Sequence, residues 1–202
     1  MTRHFSEGRE IPRLEIFIDA MLAIIITILV LEFRVPEKAF ASDQEIESFI
    51  RHLAPSFFSY GISFATIVGL WIDHHFLFRM IDKADIRFTF LNFVFILFLS
   101  PIPFTTALAG RNYESGFAVA LVATNYFLMN LSFSFMWRYA TKKRFISQSW
   151  IRDKHFKRDV RITIAGSVLL FISIPFAYVS TYISFTLFIV VILMHIVKQF
   201  FR

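Results

Sequence analysis

The sequence contains no cysteine, which excludes disulfide bonds, a thiolate metal site and a cysteine nucleophile. It has only 6 Gly and 6 Pro among 202 residues, which argues against a collagen-like or disordered chain. Charged residues make up 18% of the chain, below the roughly 25% typical of soluble domains. In contrast, 56% of the residues are apolar and 28 are Phe, more than a soluble globule readily buries. The composition therefore predicts that most of the chain lies in a lipid bilayer.

Six segments are long and apolar enough to cross a bilayer, which takes roughly 20 helical residues. Pro55 suits the first turn of the second span, and the last two spans are close enough to form a tight helical hairpin. A short surface helix is expected between Pro36 and Leu53. With no internal repeat, residues 1–202 are predicted to form a single all-α, polytopic membrane domain. The predicted spans are 14–33, 56–78, 88–108, 116–136, 162–179 and 182–201.

The distribution of positive charge predicts the orientation of the chain. With six spans, both termini lie on one side of the membrane, and that side holds 17 of the 21 Lys and Arg residues. Because cytoplasmic loops carry the excess of Lys and Arg, we expect a multi-pass protein of the cell membrane with cytoplasmic termini. Nine of the 17 lie between Arg138 and Arg161. RNA is one possible partner of this segment, but we interpret it as a topology signal beside anionic headgroups, with no nucleic acid bound.

A carboxylate, Asp19, lies inside the first span, where it costs at least ~2.5 kcal/mol if it faces lipid. Depth along the helices places it level with His75 of the second span and Asn92 of the third. Trp71 shares a helical face with His75. Arg13 lies about 240° around the helix from Asp19, so each is expected to reach another segment. The sequence therefore predicts a structural polar network of five residues, which are Arg13, Asp19, Trp71, His75 and Asn92.

A narrow aliphatic stripe runs along the other face of the first span. Ile24, Ile28 and Leu31 follow the i, i+4, i+7 spacing of one helical face, and Thr27 borders them. On spacing alone, such a stripe is more often ordinary helix packing than a functional surface. Its meaning therefore depends on the class of protein.

Two other patterns are weaker. Asp73, His74 and His75 contain metal-ligand types, but adjacent histidines on a helix point about 100° apart, and no known metal-site spacing is present. The segment from Thr66 to Leu70 resembles a carbonyl-type potassium filter only faintly, and it lies in the middle of a span. With no carboxylate pair and no nucleophile–base pair, we expect no metal, no cofactor and no enzyme activity.

The first span also carries a recognisable motif. Arg13-x-x-x-Phe17-x-Asp19 resembles the Arg-x-x-x-Phe-Ser-Asp signature of the endolysosomal potassium channel family and its prokaryotic homologues. Ile18 stands where the signature has Ser. Further similar segments are the A-I-x-I-T-I-L-V-L-E and V-P pattern from Ala23 to Pro36, then Val68, Gly69, Trp71 and His75, and finally Asn92 with Pro101–Thr105.

The resemblance implies a six-helix subunit that, in prokaryotic members, is similar to a homotetramer with the first helix lining a central pore. It implies a potassium-preferring cation channel whose partners are potassium ions, other copies of the chain and the lipid bilayer. In such a channel Ile24, Ile28 and Leu31 would form the constriction, and Thr27 would offer a hydroxyl group to the ion. A carbonyl-type filter is not expected.

Three alternatives follow from the residues themselves. The first is a secondary transporter, with proton coupling through Asp19 and His75 and with helices broken at Pro101, Pro103 or Pro175. The others are a membrane enzyme and a scaffold without transport. Ion flux that needs no second solute separates a channel from the transporter.

Overall fold

The structure is a computed structural model, and it describes the backbone of residues 7–200 and the side chains of residues 11–198. The described part is all-helical, and its one β-feature is a single bridge between Ile81 and Ile146. The helices are α1 (Glu7–Val30), α2 (Asp43–His52), α3 (Ala54–Arg79), α4 (Ile86–Leu99), α5 (Ile102–Arg111), α6 (Gly116–Lys142), α7 (Gln148–Arg152), α8 (Lys154–Val179) and α9 (Thr181–Phe200).

Within the described residues, five helical stretches are long and apolar enough to cross a membrane. The first helix is not one of them, because Arg13, Glu15 and Asp19 interrupt its apolar run. The multi-pass character is thus confirmed, and the sixth span stays a prediction. The five stretches are Ala54–Arg79, Ile86–Arg111, Gly116–Lys142, Lys154–Val179 and Thr181–Lys198.

Helix α6 lies at the centre of the bundle, where it packs against α4, α5, α8 and α9. Helix α1 lies at its edge and packs against α3, α4 and α5. Ser180 alone separates α8 from α9, so these helices form the tight hairpin that the sequence predicts. The short helix α2 confirms the surface helix predicted before Leu53, and the side-chain oxygen of Ser42 caps it by accepting from the backbone N–H of Glu45.

Several helix boundaries differ from the predicted spans, and α1 begins at Glu7, seven residues before the predicted start. Helix α1 ends at Val30, three residues early, and its last turn tightens to the i→i+3 bond from Leu31 N–H to Ile28 O. Helices α6 and α8 extend six and eight residues further toward the basic segment than predicted, because apolar periodicity does not show how far a polar helix end continues into water. The predicted end of the last span, Phe201, lies outside the described residues.

The predicted third span is two helices, α4 and α5, that meet at Ser100 and Pro101. Proline has no N–H and clashes with the carbonyl four residues earlier, so it interrupts the helical ladder. The side-chain nitrogen of Asn125 donates to the carbonyl of Phe98 at 2.6 Å and so compensates the interruption. Pro175, in contrast, lies inside an unbroken α8 and does not divide it.

Two connecting segments at one end of the bundle are tied together. Asp82 N–H donates to Phe145 O at 3.0 Å, and the hydroxyl of Tyr139 donates to Asp85 at 2.7 Å. Burial raises the pKa of Asp85, but the hydrogen bonds from Tyr139 and from the N–H of Phe88 outweigh it, so the pKa lies below its ordinary value. The charged form of Asp85 thus stabilises this end of the bundle.

The end of α6 is closed by a residue in an unusual conformation. Arg144 has a φ of 56°, and the N–H of Phe145 donates to Ala140 O while that of Arg144 donates to Thr141 O. This pair of bonds is the Schellman motif, whose left-handed position favours glycine. Arg144 therefore holds a conformation that disfavours its Cβ.

Replacing Arg144 by Gly is expected to stabilise the fold by about 1 kcal/mol, the size of the left-handed penalty for a residue with a Cβ. Thermal unfolding of the purified protein in detergent, followed by circular dichroism, checks this. Arg138→Gly, inside α6, is the matched control and should lower the stability by a similar amount. A lower stability for both variants would contradict the assignment of Arg144 to the left-handed position of a Schellman motif.

Candidate functional site

Helix α1 has two distinct faces. One face is fully buried against the other helices of the chain, and its residues recur every three or four positions, as one side of a helix requires. Burial of this face fixes the rotation of α1 about its own axis. The buried residues are Leu14, Ile18, Leu22, Ile25 and Leu29.

The opposite face of α1 carries the predicted aliphatic stripe and is left uncovered by the subunit. Ile24 is 50% exposed, Ile28 is 39% exposed, and Thr27 beside them is exposed as well. The hydroxyl of Thr27 donates to the carbonyl of Ile24 at 2.8 Å. Because its hydrogen is used within the helix, the lone pairs of the oxygen remain available to an approaching cation.

Leu31, the last residue of the predicted stripe, is 68% exposed and lies in the turn that follows α1. It therefore belongs to the same uncovered surface but not to the helix. The structure places Ile24, Thr27, Ile28 and Leu31 together on this surface, which we call the α1 stripe.

Two hydrogen-bonded pairs join α1 to α3. Trp71 Nε1 donates to Asp19 Oδ1 at 3.0 Å, and His75 Nδ1 lies 3.1 Å from Glu15 Oε1. The rings of Trp71 and His75 stack on each other with 5.9 Å between their centroids. Glu15 faces His75 and Asp19 faces Trp71, so the residue numbers rise along α1 as they fall along α3. The two pairs are therefore successive contacts between antiparallel helices. We call these four residues the α1–α3 ladder.

Sequence reasoning placed Asp19, Trp71 and His75 together but missed Glu15. The spacing in the sequence could have identified Glu15. It lies four positions before Asp19, just as Trp71 lies four positions before His75, so each pair shares one face of its helix. Arg13 is exposed and makes no hydrogen bond or ion pair with the described side chains, so the structure does not bring it into the ladder.

Asn92 lies elsewhere than predicted. Its Oδ1 is 3.1 Å from His74 Nε2, and its Nδ2 donates to the carbonyl of Phe88 at 2.8 Å. Both His74 and Asn92 are fully buried between α3 and α4, and Phe78 stacks on the imidazole. The prediction set Asn92 beside His75, but the neighbouring histidine, one residue and about 100° away, is the one that faces Asn92.

The three residues considered for a metal site diverge in space. Asp73 contacts His195 and Lys198 of α9, His74 contacts Asn92, and His75 contacts Glu15. No group of three His, Asp or Glu side chains in the described part of the chain has a metal-binding arrangement. The filter-like segment from Thr66 to Leu70 lies within unbroken α3.

Ile18, which replaces the signature Ser, is 0% exposed and packs in the main apolar core. It lies on the buried face of α1 together with Leu14 and Leu22. The substitution therefore exchanges a buried hydroxyl position for apolar packing and leaves the Asp19–Trp71 bond in place.

Replacing Asp19 by Ala is expected to lower the stability by about 1 kcal/mol, because Trp71 loses its acceptor but keeps partial access to its surroundings. Asp19→Asn is the matched control, since its side-chain oxygen still accepts the bond. Denaturant unfolding in detergent measures both. Equal losses for both variants would show that the charge of Asp19, and not the bond to Trp71, matters.

The chain is similar to known proteins in sequence and in fold. The family model for the endosomal/lysosomal potassium channel TMEM175 matches residues 13–103. A potassium channel of Chamaesiphon minutus is 30% identical over 153 residues, 74% of each chain. The human endosomal/lysosomal proton channel TMEM175 is 30% identical over 135 residues, which cover 62% of this chain and 27% of the human protein. The crystal structure of a lysosomal potassium-selective channel TMEM175 homolog from Chamaesiphon minutus superposes with a TM-score of 0.79 at 24% identity, over 94% of this chain and 98% of the other.

The fold defines a multi-pass α-helical membrane protein, and the relatives that it resembles in sequence are named potassium and proton channels. The chain belongs to the TMEM175 channel family. The family predicted from the first-span motif is thereby confirmed, and the family's members are ion channels and not enzymes.

Proposed function

We propose that this chain is the subunit of a potassium-preferring cation channel, in which the α1 stripes of four copies line a central pore. The observation that carries the proposal is the uncovered stripe on α1. In a bilayer the uncovered face of α1 meets either lipid or other copies of the chain. The exposed hydroxyl group of Thr27 within the stripe and the membership of a channel family favour other copies around a pore. The names of bacterial relatives as potassium channels support potassium as the ion, whereas animal relatives are named proton channels.

In this arrangement Ile24 and Ile28 form aliphatic rings around the axis. Such rings offer no oxygen atoms to an ion, and a narrow apolar constriction gates by excluding water. Thr27 supplies the oxygen atoms beside the rings, with lone pairs free because its hydrogen is bonded to Ile24 O. The channel therefore passes partly hydrated ions without a carbonyl-type filter.

The same proposal includes α1 as the sixth span and a cytoplasmic location for both termini in the cell membrane. The 24 residues of α1 measure about 36 Å at 1.5 Å per residue, enough to cross the hydrocarbon core. Partners for its polar groups come from the α1–α3 ladder. Residues 1–202 then act as one transmembrane domain.

A cysteine introduced at Lys143 is expected to be unreactive toward a membrane-impermeant thiol reagent added outside intact cells. Lys143 lies at the end of α6 in the basic segment, and the native chain contains no cysteine to confuse the reading. Arg111→Cys, at the opposite end of the bundle, is the matched control and should be labelled. If the reagent labelled Lys143→Cys but not Arg111→Cys, the orientation in the membrane would be opposite to the proposed one.

The secondary transporter is the remaining alternative, and the interruption at Ser100–Pro101 is the feature that favours it. Transporters, however, use such interruptions to expose backbone groups to a substrate. Here Asn125 donates to the carbonyl of Phe98 and accepts from the hydroxyl of Thr105. The polar groups at the interruption are therefore already hydrogen-bonded within the subunit, which argues against a substrate site there.

The pore assignment is tested with Ile24→Cys in this cysteine-free background. A thiol reagent should block potassium flux through the variant in liposomes, because four modified side chains would meet at the axis. Ile164→Cys, on an exposed position of α8, is the matched control and should be insensitive. Unchanged flux in modified Ile24→Cys would contradict a pore lined by the α1 stripe.

A further inference from the structure

A second set of polar residues lies inside the subunit, away from the α1 stripe. Along α3, polar side chains recur on one buried face at Ser59, Ser63, Thr66 and Asp73. Fourteen residues separate the first from the last, which corresponds to about 21 Å along the helix. This column therefore covers most of the roughly 30 Å hydrocarbon thickness.

A charged cluster forms one end of the column. Asp73 Oδ2 lies 2.8 Å from His195 Nδ1 and accepts from Lys198 Nζ, and all three residues are buried. Arg158 of α8 donates to the carbonyl of Lys198 at 3.1 Å, which links the cluster to the end of the bundle that carries the basic segment. The other ring nitrogen, His195 Nε2, is buried with no hydrogen-bond partner among the described residues.

His195 Nε2 faces a small cavity between α3, α6, α8 and α9. The cavity has about 20 Å³, and its lining includes the polar residues Thr66, Tyr126, Asn130 and His195. A side chain at Gly166 would crowd this space, since a Cβ there would lie 3.3 Å from His195 Nε2. One water molecule needs at least about 10–15 Å³ and two or more polar partners, so the cavity fits one water.

The column continues through hydroxyl groups beyond this cavity. Tyr126 Oη donates to Ser63 Oγ at 2.7 Å, and Ser63 Oγ lies 2.7 Å from Thr106 Oγ1. All three hydroxyl groups are buried. A hydroxyl group can accept a proton on its oxygen and release its own hydrogen. This series of three hydroxyl groups can therefore pass a proton from one end to the other.

Two further small cavities meet at Thr106. One is shared with Ser59 and Ser63, and the other with Ser56, Glu32 and Arg111. A wider pocket of about 370 Å³ then joins Ser56, Glu32 and Arg111 to the surface near Arg34 and His52. Polar groups and water-sized spaces therefore follow one another from this surface to the charged cluster.

We propose that each subunit contains its own proton path along this column, separate from the central pore. A proton that enters near Glu32 moves through the hydroxyl groups of Thr106, Ser63 and Tyr126 to the cavity water. For each transfer the Tyr126 hydroxyl, which donates to Ser63 in the structure, turns toward the cavity. That water protonates His195 Nε2, and the ring releases the proton on Nδ1 to the Asp73 carboxylate. Lys198 gives its own proton to water at the basic end and takes the proton from Asp73, which restores both charges. A turn of the His195 ring then returns the hydrogen to Nδ1 before the next proton arrives. A bare potassium ion is about as large as a water molecule, so the loss of its hydration shell, and not its size, excludes it from this mostly apolar cavity.

Proton uptake into liposomes tests this path. The purified full-length protein is reconstituted with a pH-sensitive dye inside, and valinomycin with a potassium gradient sets an inside-negative potential. Tyr126→Phe and Thr106→Val each remove one hydroxyl with little change of shape. Each should reduce proton uptake about tenfold, which corresponds to about 1.4 kcal/mol. Potassium flux, measured in parallel, should be unchanged. Tyr178→Phe, an exposed position on α8, is the matched control.

The pore variant Ile24→Trp separates this inference from the proposed function. It should stop potassium flux and leave proton uptake at the wild-type level. Loss of both fluxes in Ile24→Trp would place the protons in the central pore and overturn the separate path. Wild-type uptake in both Tyr126→Phe and Thr106→Val, or no uptake above empty liposomes for the native protein, would also overturn it. Potassium flux that persists in Ile24→Trp would contradict the pore assignment alone.

Discussion

Replacing Ile24 by Ala is expected to increase potassium flux about tenfold and to weaken the discrimination between potassium and sodium. The change removes apolar groups worth ~0.8 kcal/mol per CH₂ from each of four copies around the pore. Lowering the barrier to wetting by only about 1.4 kcal/mol gives a tenfold increase in rate. Because Ile24 is half-exposed in the subunit, its truncation should leave the fold intact. Single-channel recordings and liposome flux measure both effects.

Ile164→Ala provides the matched control, since it makes the same chemical change at an exposed position of α8. It should leave flux and selectivity unchanged. Thr27→Val keeps the side-chain shape but removes the oxygen, so it should reduce selectivity with less effect on flux. A change of permeation in Ile164→Ala but not in Ile24→Ala would show that the α1 stripe does not line the pore.

Replacing Asp73 by Ala is expected to cost about 3–5 kcal/mol of stability, the largest effect of any single change considered. The substitution removes the carboxylate that the buried Lys198 ammonium group and His195 both contact. A buried charge that loses its counter-ion loses the attraction that offset its desolvation. Denaturant unfolding in detergent, with retained helicity as a check on folding, measures the loss.

The double variant Asp73→Leu with Lys198→Met is the control for this second prediction. It removes both charges, and apolar replacements of a buried ion pair are often neutral or stabilising. The double variant should therefore be more stable than Asp73→Ala. The exposed pair of Glu47 and Arg51 on α2 gives the opposite control, because its loss should be too small to resolve. Equal stability of Asp73→Ala and the native protein would show that the cluster is not held by charge.

Much of the fold follows from local patterns in the sequence. Long apolar runs set the positions of α3, α6, α8 and α9, and Pro55 lies in the first turn of α3, as the sequence predicts. The interruption of the third span was not predicted as a boundary, although Pro101 is its local cause. Polar helix ends, such as the first turns of α8, carry no apolar periodicity that would locate them.

The contacts between helices were harder to predict. Depth and helical face set Asp19, Trp71 and His75 at one level of two adjacent helices, and in the structure Trp71 donates to Asp19 and stacks on His75. The same reasoning misplaced Asn92, since one residue of rotation on α3 decides whether His74 or His75 faces it. The contact of Asp73 with His195 joins residues 122 positions apart, and no local pattern marks such a pair.

The most direct test of the proposed function is ion flux through the purified protein in liposomes, with potassium and sodium gradients compared in otherwise identical solutions. The proposed pore predicts flux above that of empty liposomes for potassium, a smaller flux for sodium, and no requirement for a second solute. Equal flux for both ions would contradict potassium preference. Flux that appears only with a second solute would identify a coupled transporter and contradict the channel.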